Sequence, residues 1–553
     1  MAAHEAAIRR IPRTRSLAML RSLGIFALTA GAIALAWYWL GRPVALPPSP
    51  LGSGGKLTCM SYAPFHAGQA PFTPNLRISD RQIEEDLQRL SKLTPCVRTY
   101  SARGPQGRIP RLAEKLGMEV LQGVWLNRNR AENRREIEAA LRLARRHPET
   151  IKALIVGSET MLRGELPPDA IRAHLEETGR RSHLPVTYAD VWEFWLKAPE
   201  LAQAADFVTI HILPYWEDHP VAEADAVAHV REVRERMAAA FPNKEIVIGE
   251  VGWPSRGRMR EGALPSPVNQ ARFVSGVVEL AEAERWKVNL VEAFDQPWKR
   301  LLEGTVGGYW GVYDDTRREP KFSFGASVSN HPDWPLKAGL GIGVAFLVTL
   351  AYWLGMRDAP RRLTSWRRDS GTAAIALASG LVFGLVAINL PIEGEAPADR
   401  LRGVAMLVLA LVVPMAAAYA LARGDALAGF AKALDPTHWR ARDAIGAVLA
   451  GLLAATVITA IQVALGLVFD PRYKDFPFAA LIGPVVALAV LAFASGKTAT
   501  RAGPAEIAAA TVLAGSALFV VLNEGLANWQ ALLFSALLLL LALTVLRAKA
   551  APG

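Results

Sequence analysis

Two hydropathy regimes divide the chain. Over residues 56–330 short apolar runs alternate with polar stretches, whereas from residue 337 to 546 long apolar stretches follow one another closely. In the first region the runs fall near 57–63, 95–100, 118–125, 152–158, 184–189, 206–212, 244–249 and 288–294. Apolar runs of this length, bounded by turn residues, suit strands buried on both faces. Between the first two, Ile83, Leu87 and Leu90 recur at helical spacing behind Ser79 and Gln82, which are placed as a capping box. Ile137, Leu141 and Ala144 repeat the spacing between the third and fourth runs. Strands that alternate with helices predict an α/β fold with parallel strands, closed as a (β/α)₈ barrel. A doubly wound sheet is the alternative.

The second regime reads as membrane. Long apolar stretches lie near 20–41, 337–355, 372–390, 402–421, 444–469, 477–495, 505–522 and 527–546. Most approach the roughly 20 residues needed to cross a bilayer, which gives about eight spans. The first follows Arg9, Arg10, Arg13 and Arg15, with Arg21 near its start, and a secretory leader begins in the same way. Its apolar core is too long for a leader, and Trp37 and Trp39 suit an interfacial belt, so an uncleaved anchor is expected. Cytoplasmic loops carry excess Lys and Arg. With the N-terminus inside, the inner loops hold Arg357, Arg361, Arg362, Arg367, Arg368, Arg423, Lys432, Arg440, Arg442, Lys497, Arg501, Arg547 and Lys549. The opposite short loops hold Arg400, Arg402, Arg472 and Lys474, so both termini are expected in the cytoplasm.

The expected organisation is a basic cytoplasmic N-terminus (1–19), an anchor (20–41), a linker (42–55), an exported barrel (56–330), an all-α membrane domain of seven helices (337–546) and a cytoplasmic tail (547–553). In a bacterial inner membrane the barrel would face the periplasm. Intramembrane charges mark transport pathways, and none stands well inside these spans; Gln462, Thr456 and Thr459 are the main polar exceptions, and Pro414 and Pro484 are candidate kinks. An anchor that docks a partner is therefore favoured over a transporter.

Composition changes this picture little. The 553 residues carry a net charge of +11, much of it in the inner loops, so membrane orientation explains it and nucleic acid is not an expected partner. Only Cys59 and Cys96 occur, near the starts of the first two runs. An oxidising compartment permits a bridge between them, buried thiols are equally ordinary, and two cysteines lack the partners of a zinc site.

The chemistry concentrates at run ends. Glu250 closes the seventh run and is followed by a break at Gly252, Trp253 and Pro254; Glu159 closes the fourth behind Gly157 and Ser158. Parallel barrels place their chemistry at the carboxyl ends of strands. Cleavage of a glycosidic bond needs such a pair of carboxyls, one protonating the leaving oxygen and one attacking the sugar carbon.

Gly249, Glu250, Gly252, Trp253, Pro254 and Ser255 resemble the nucleophile motif of glycoside hydrolase family 17, the β-1,3-glucanase and glucanosyltransferase family. Ser61, Tyr62, Pro64 and Phe65, then Val97, Arg98, Tyr100 and Ser101, and finally Tyr309, Trp310, Gly311 and Tyr313 extend the resemblance over roughly 56–325. The resemblance implies Glu250 as nucleophile and Glu159 as acid/base, with the carboxyls about 5 Å apart for a retaining reaction. Ser158 stands where the family has Asn, a residue that in related barrels touches the sugar 2-hydroxyl.

Substrate contacts are expected from Tyr62, Arg98, Tyr100, Ser158, Tyr188, His211, Tyr215, Trp253, Phe294 and Trp298, with Trp125, Trp192 and Trp216 as further aromatic candidates. Pyranose faces stack on such rings, although each ring alone is as readily core filling. Asp190 and Asp295 also fall at run ends. Retaining chemistry needs no metal or cofactor. By resemblance to membrane-bound bacterial relatives, the expected function is β-glucan transglycosylation that introduces β-(1→6) linkages during synthesis of periplasmic or cyclic glucans, beside a membrane β-glucan synthase. Plain β-1,3-glucan hydrolysis is the alternative, and a non-catalytic glucan-binding scaffold the third reading.

Overall fold

The computed structural model describes residues 13–52, 55–359, 366–390, 392–393, 396–429, 444–494 and 502–548. The basic residues Arg9, Arg10, Arg361, Arg362, Lys432, Arg440, Arg442, Lys497, Arg501 and Lys549 lie outside that description. The chain forms two compact units, one of Pro43–Ser329 and one of Met1–Arg42 with Asn330–Gly553.

In the first unit every expected run supplies a strand: β1 (Cys59–Ser61), β2 (Cys96–Arg98), β3 (Glu119–Val124), β4 (Ile151–Ser158), β5 (Val186–Val191), β6 (Val208–Ile212), β7 (Ile246–Val251) and β8 (Val288–Leu290). All neighbours are parallel, and β1 closes on β8. The doubly wound alternative is excluded, because such a sheet has two free edges. β6 and β7 are buried at every position, as expected of strands covered by side chains inside the barrel and by helices outside it. β1 and β8 are shorter than their apolar runs because the chain turns into rim loops, yet pairing persists beyond them: Tyr62 N donates to Arg98 O at 2.8 Å and Ala293 N to Ser61 O at 2.9 Å.

The helix Asp80–Leu90 turns Ile83, Leu87 and Leu90 into the core, and Arg130–Arg146 buries Ile137, Leu141 and Ala144. The expected capping box is half formed. Ser79 Oγ accepts from Gln82 N at 3.1 Å, but the Gln82 amide donates to Pro64 O and Gln69 Oε1, each at 2.8 Å, instead of returning to the cap. Cys59 and Cys96 sit side by side on β1 and β2, with Cα atoms 4.5 Å apart, and are joined by a disulfide.

The second unit is helical. Among the described residues seven helices are long and apolar enough to cross a membrane: Met19–Leu40, Trp334–Asp358, Trp366–Asn389, Pro397–Arg423, Ile445–Phe469, Pro504–Glu524 and Trp529–Arg547. The stretch expected at 477–495 forms the shorter helix Phe478–Ala494, of 17 residues, with Pro484 inside it. At about 1.5 Å per residue it falls short of a ~30 Å hydrocarbon core.

Small residues set the packing here. A Cβ on Gly341 would lie 2.0 Å from Gly380 O, so these two helices meet backbone to backbone. Trp37 corrects the expected belt. It is buried and donates its indole N–H to Leu381 O at 3.1 Å, a helix-to-helix contact, while Trp39 stays exposed. Thr456 and Thr459 satisfy their hydroxyls on Leu452 O and Ala455 O of their own helix, each at 2.8 Å.

Candidate active site

Strand β7 fixes Glu250 by close packing on both sides. A Cβ on Gly249 would stand 2.3 Å from the Thr209 side chain, and one on Gly252 would stand 2.2 Å from Val291 O, so only glycine permits these approaches. Glu159 follows directly on β4. Its φ is 52°, and Gly157 before it has φ 90°, so the chain turns sharply and projects the carboxyl out of the strand. A non-glycine residue in this region costs about 1–3 kcal/mol and persists only where its surroundings hold it.

The two carboxyls converge on His211 of β6. His211 Nδ1 is 2.8 Å from Glu159 Oε1, and Nε2 is 3.9 Å from Glu250 Oε1. One oxygen from each carboxyl and a ring nitrogen all lie within 4.8 Å of one another. From β2, Arg98 donates one guanidinium nitrogen to Glu250 and the other to Ser158 Oγ at 2.8 Å, while its plane stacks over Tyr100 at 4.4 Å. Ser158, which stands where the resemblance places Asn, thus accepts from the arginine, and Arg98 links the end of β4 to Glu250.

Electrostatics follow from this arrangement. Burial alone would raise the Glu250 pKa, but the positive fields of His211, Arg98 and Lys299 outweigh it and hold the carboxyl at about 2. Glu250 is therefore ionised at any working pH. Glu159, His211 and Glu250 have the composition of a cation site, but the Arg98 guanidinium already occupies Glu250. Its fixed positive charge opposes a second cation at that range.

The other expected residues separate into three groups. Arg98, Tyr100, Ser158 and His211 join the carboxyl pair. Tyr188 lies behind the Glu159 turn, where its hydroxyl accepts from Met161 N at 2.9 Å and donates to Asp190. Tyr62, Tyr215, Trp253 and Phe294 are fully buried core side chains rather than an open sugar platform. Tyr62 donates to Asp86 at 2.9 Å, Tyr215 to Arg258 O at 2.9 Å, and the Trp253 indole to Leu264 O at 3.1 Å.

Exposed aromatic surface is supplied instead by Trp125, by the half-buried Trp216, and by half-buried Trp298, which packs edge-on against exposed Phe72. Trp192 is buried, with its indole on Glu217 at 3.1 Å. Asp295 is buried against Lys321 at 2.8 Å, and burial pushes its pKa up to about 7 despite that partner.

Two further buried ion pairs escaped the sequence reading. Glu292, just past β8, accepts from Lys299 Nζ at 2.9 Å, which brings the Lys299 charge into the field of Glu250. Asp86 gathers Arg318 at 2.5 Å and His66 at 3.0 Å, together with the Tyr62 hydroxyl. An acidic residue inside the apolar run 288–294 was the visible signal for the first pair; nothing local marks the second.

Residues 59–311 match the BtgE/BtgC glycoside hydrolase domain. This match supports a glycoside hydrolase family 17 domain at the barrel.

Curated relatives match this same part of the chain. A glucan 1,3-beta-glucosidase of Arthroderma benhamiae is 24% identical over 298 residues, 49% of this chain and 95% of that protein. The cell surface mannoprotein MP65 of Candida albicans is 24% identical over 275 residues, 49% of this chain and 69% of its own. A probable glucan endo-1,3-beta-glucosidase btgC of Aspergillus fumigatus is 27% identical over 291 residues, 47% of this chain and 41% of its own.

Among solved structures, the family 17 β-1,3-glucanosyltransferase of Rhizomucor miehei covers 50% of this chain and 99% of its own at 21% identity and a TM-score of 0.44. An endo-laminarinase from Formosa covers 48% and 84% at 21% identity and a TM-score of 0.43. The family match at residues 59–311 falls within the barrel unit, Pro43–Ser329.

Proposed function

We propose that the barrel is a retaining β-1,3-glucan glucanosyltransferase in which Glu250 is the nucleophile and Glu159 the acid/base. One observation carries this reading: carboxyl oxygens of Glu159 and Glu250 stand within 4.8 Å of each other. An inverting pair is about 6.5–9.5 Å apart to admit water, whereas a retaining pair is about 5–5.5 Å apart. Ionised Glu250 attacks the anomeric carbon while Glu159 gives its proton to the leaving oxygen; Glu159 then takes a proton from the incoming hydroxyl as the glucosyl ester breaks. Arg98 and His211 hold Glu250 in line.

Action on β-1,3-glucan agrees with the family and with the activities named for its relatives. The long apolar helices support attachment to a membrane. The basic loops favour cytoplasmic termini and an exported barrel, and the Cys59–Cys96 bridge suits an oxidising compartment such as the periplasm. A helical unit larger than an anchor requires favours a role beside a membrane glucan synthase, with the barrel adding β-(1→6) links to its linear or cyclic product. Hydrolysis is the second reading, favoured by relatives named as glucosidases. The two readings share the glucosyl-enzyme and differ in the acceptor.

Linkage and size analysis of products from the detergent-purified chain and a reduced β-1,3-gluco-oligosaccharide separates them. Products longer than the substrate, or carrying β-(1→6) links, support transfer; shorter products alone support hydrolysis. No product that depends on Glu250 would overturn both readings and leave the binding scaffold.

A further inference from the structure

Glu159 occupies a backbone conformation it would not adopt unaided, with φ 52°, and strand β5 supplies the restraint. Glu159 N donates to Ala189 O at 2.7 Å. Two residues on, Met161 N is shared between Tyr188 Oη at 2.9 Å and Asp190 Oδ2 at 3.2 Å. The Tyr188 hydroxyl in turn donates to Asp190 Oδ2, and Asp190 Oδ1 accepts from Val191 N at 2.8 Å. The Tyr188 ring also backs the turn from below: a Cβ on Gly157 would come within 3.1 Å of it. Both oxygens of Asp190 are engaged by the protein, and the residue is fully buried. It is therefore not a ligand for sugar hydroxyls.

We propose that Asp190, acting through Tyr188 and the Met161 amide, is a positioning residue that sets the aim of the Glu159 carboxyl. The inference rests on the reading of Glu159 as acid/base. Its logic is the donor count. Asp190 faces three donors: the Met161 amide, the Tyr188 hydroxyl and the Val191 amide. A carboxylate accepts from all three, whereas an Asn must turn its own NH₂ toward at least one of them in either orientation. With the NH₂ on the Oδ2 side the Tyr188 hydroxyl reverses or the Glu159 turn shifts; on the Oδ1 side the NH₂ meets the Val191 amide, and relief of that contact draws the side chain away from Tyr188 and Met161, so the Glu159 carboxyl moves in either case. Burial pushes Asp190 up to about 6; the Tyr188 hydrogen bond opposes that rise and the Glu159 charge adds to it.

The test separates aim from overall folding by changing how much acid the substrate needs. In the full-length, detergent-solubilised protein, kcat/KM is measured for a β-1,3-gluco-oligosaccharide, whose sugar leaving group requires a proton, and for dinitrophenyl β-laminaribioside, whose leaving group does not. Glu159→Gln should lose far more on the oligosaccharide than on the aryl glycoside. Asp190→Asn should reproduce that bias, with roughly a tenfold or greater loss on the oligosaccharide and little loss on the aryl glycoside.

Tyr188→Phe keeps the ring and removes only the hydroxyl, so it should show the same bias even if the aspartate variant does not fold. Equal losses on both substrates in the soluble variants, or no loss, would overturn the positioning role. A Glu159→Gln enzyme without bias would overturn the acid/base assignment, and this inference with it.

Discussion

At the scale of single residues, the site is a competition between burial and charge. Glu250 is buried, which would raise its pKa, yet His211, Arg98 and Lys299 hold it at about 2. The sign of a perturbation follows. Its folded pKa lies below the ordinary carboxylate value, so its charge stabilises the fold above pH ~4, and that contribution is lost as pH falls toward 2. Arg98→Met removes one opposing charge and should move the acidic limb of the kcat/KM profile to higher pH, with lower activity at its maximum. A pH profile of wild type and variant checks this; an unmoved limb would mean that Arg98 does not govern Glu250. Glu159 and Glu250 were legible in the sequence because each stands beside glycines that end a strand. Lys299, Asp190 and the Asp86–Arg318 pair were not, because what makes them matter is a neighbour from a distant segment. The same ignorance of neighbours made Tyr62, Tyr215, Trp253 and Phe294 candidates for sugar contact, when their rings fill the core.

At the scale of elements, periodicity located all eight strands, since a barrel strand is buried on both faces and reads as a continuous apolar run. It did not locate their ends, because the run continues into rim loops that stay buried after the ladder stops, as at Val291, Ala293 and Phe294. The capping box failed in half for a related reason: Gln82 meets better acceptors in the loop after β1 than in its own cap. Strand register decides the cysteines. Met60 pairs with Val97, which sets Cys59 beside Cys96, and a sequence cannot state that adjacency without the register. The bridge closes a separation of 37 residues, and its removal by Cys59→Ser with Cys96→Ser should cost about 2–4 kcal/mol. Denaturant midpoints of wild type and variant in the solubilised chain measure this, and coincident midpoints would show that the bridge does not stabilise the barrel.

At the scale of the whole molecule, the division into a barrel and a helical unit was visible in hydropathy alone, because long apolar helices and short barrel strands leave apolar stretches of different length. Length distinguishes the stretch at Phe478–Ala494 only once its helix ends are known. The proposed orientation predicts that protease added to sealed right-side-out vesicles cleaves the barrel, while inside-out vesicles protect it; the reverse pattern would refute an exported barrel. The central claim, that Glu250 carries the glucosyl group through a retaining cycle, is tested most directly by trapping. The solubilised protein is incubated with a 2-deoxy-2-fluoro β-laminaribiosyl donor bearing an activated leaving group, digested, and its peptides weighed. The account predicts a glycosyl adduct on the peptide containing Glu250, absent in Glu250→Gln. Turnover of the β-1,3-glucan substrate with no adduct, or an adduct on another carboxyl, would contradict it.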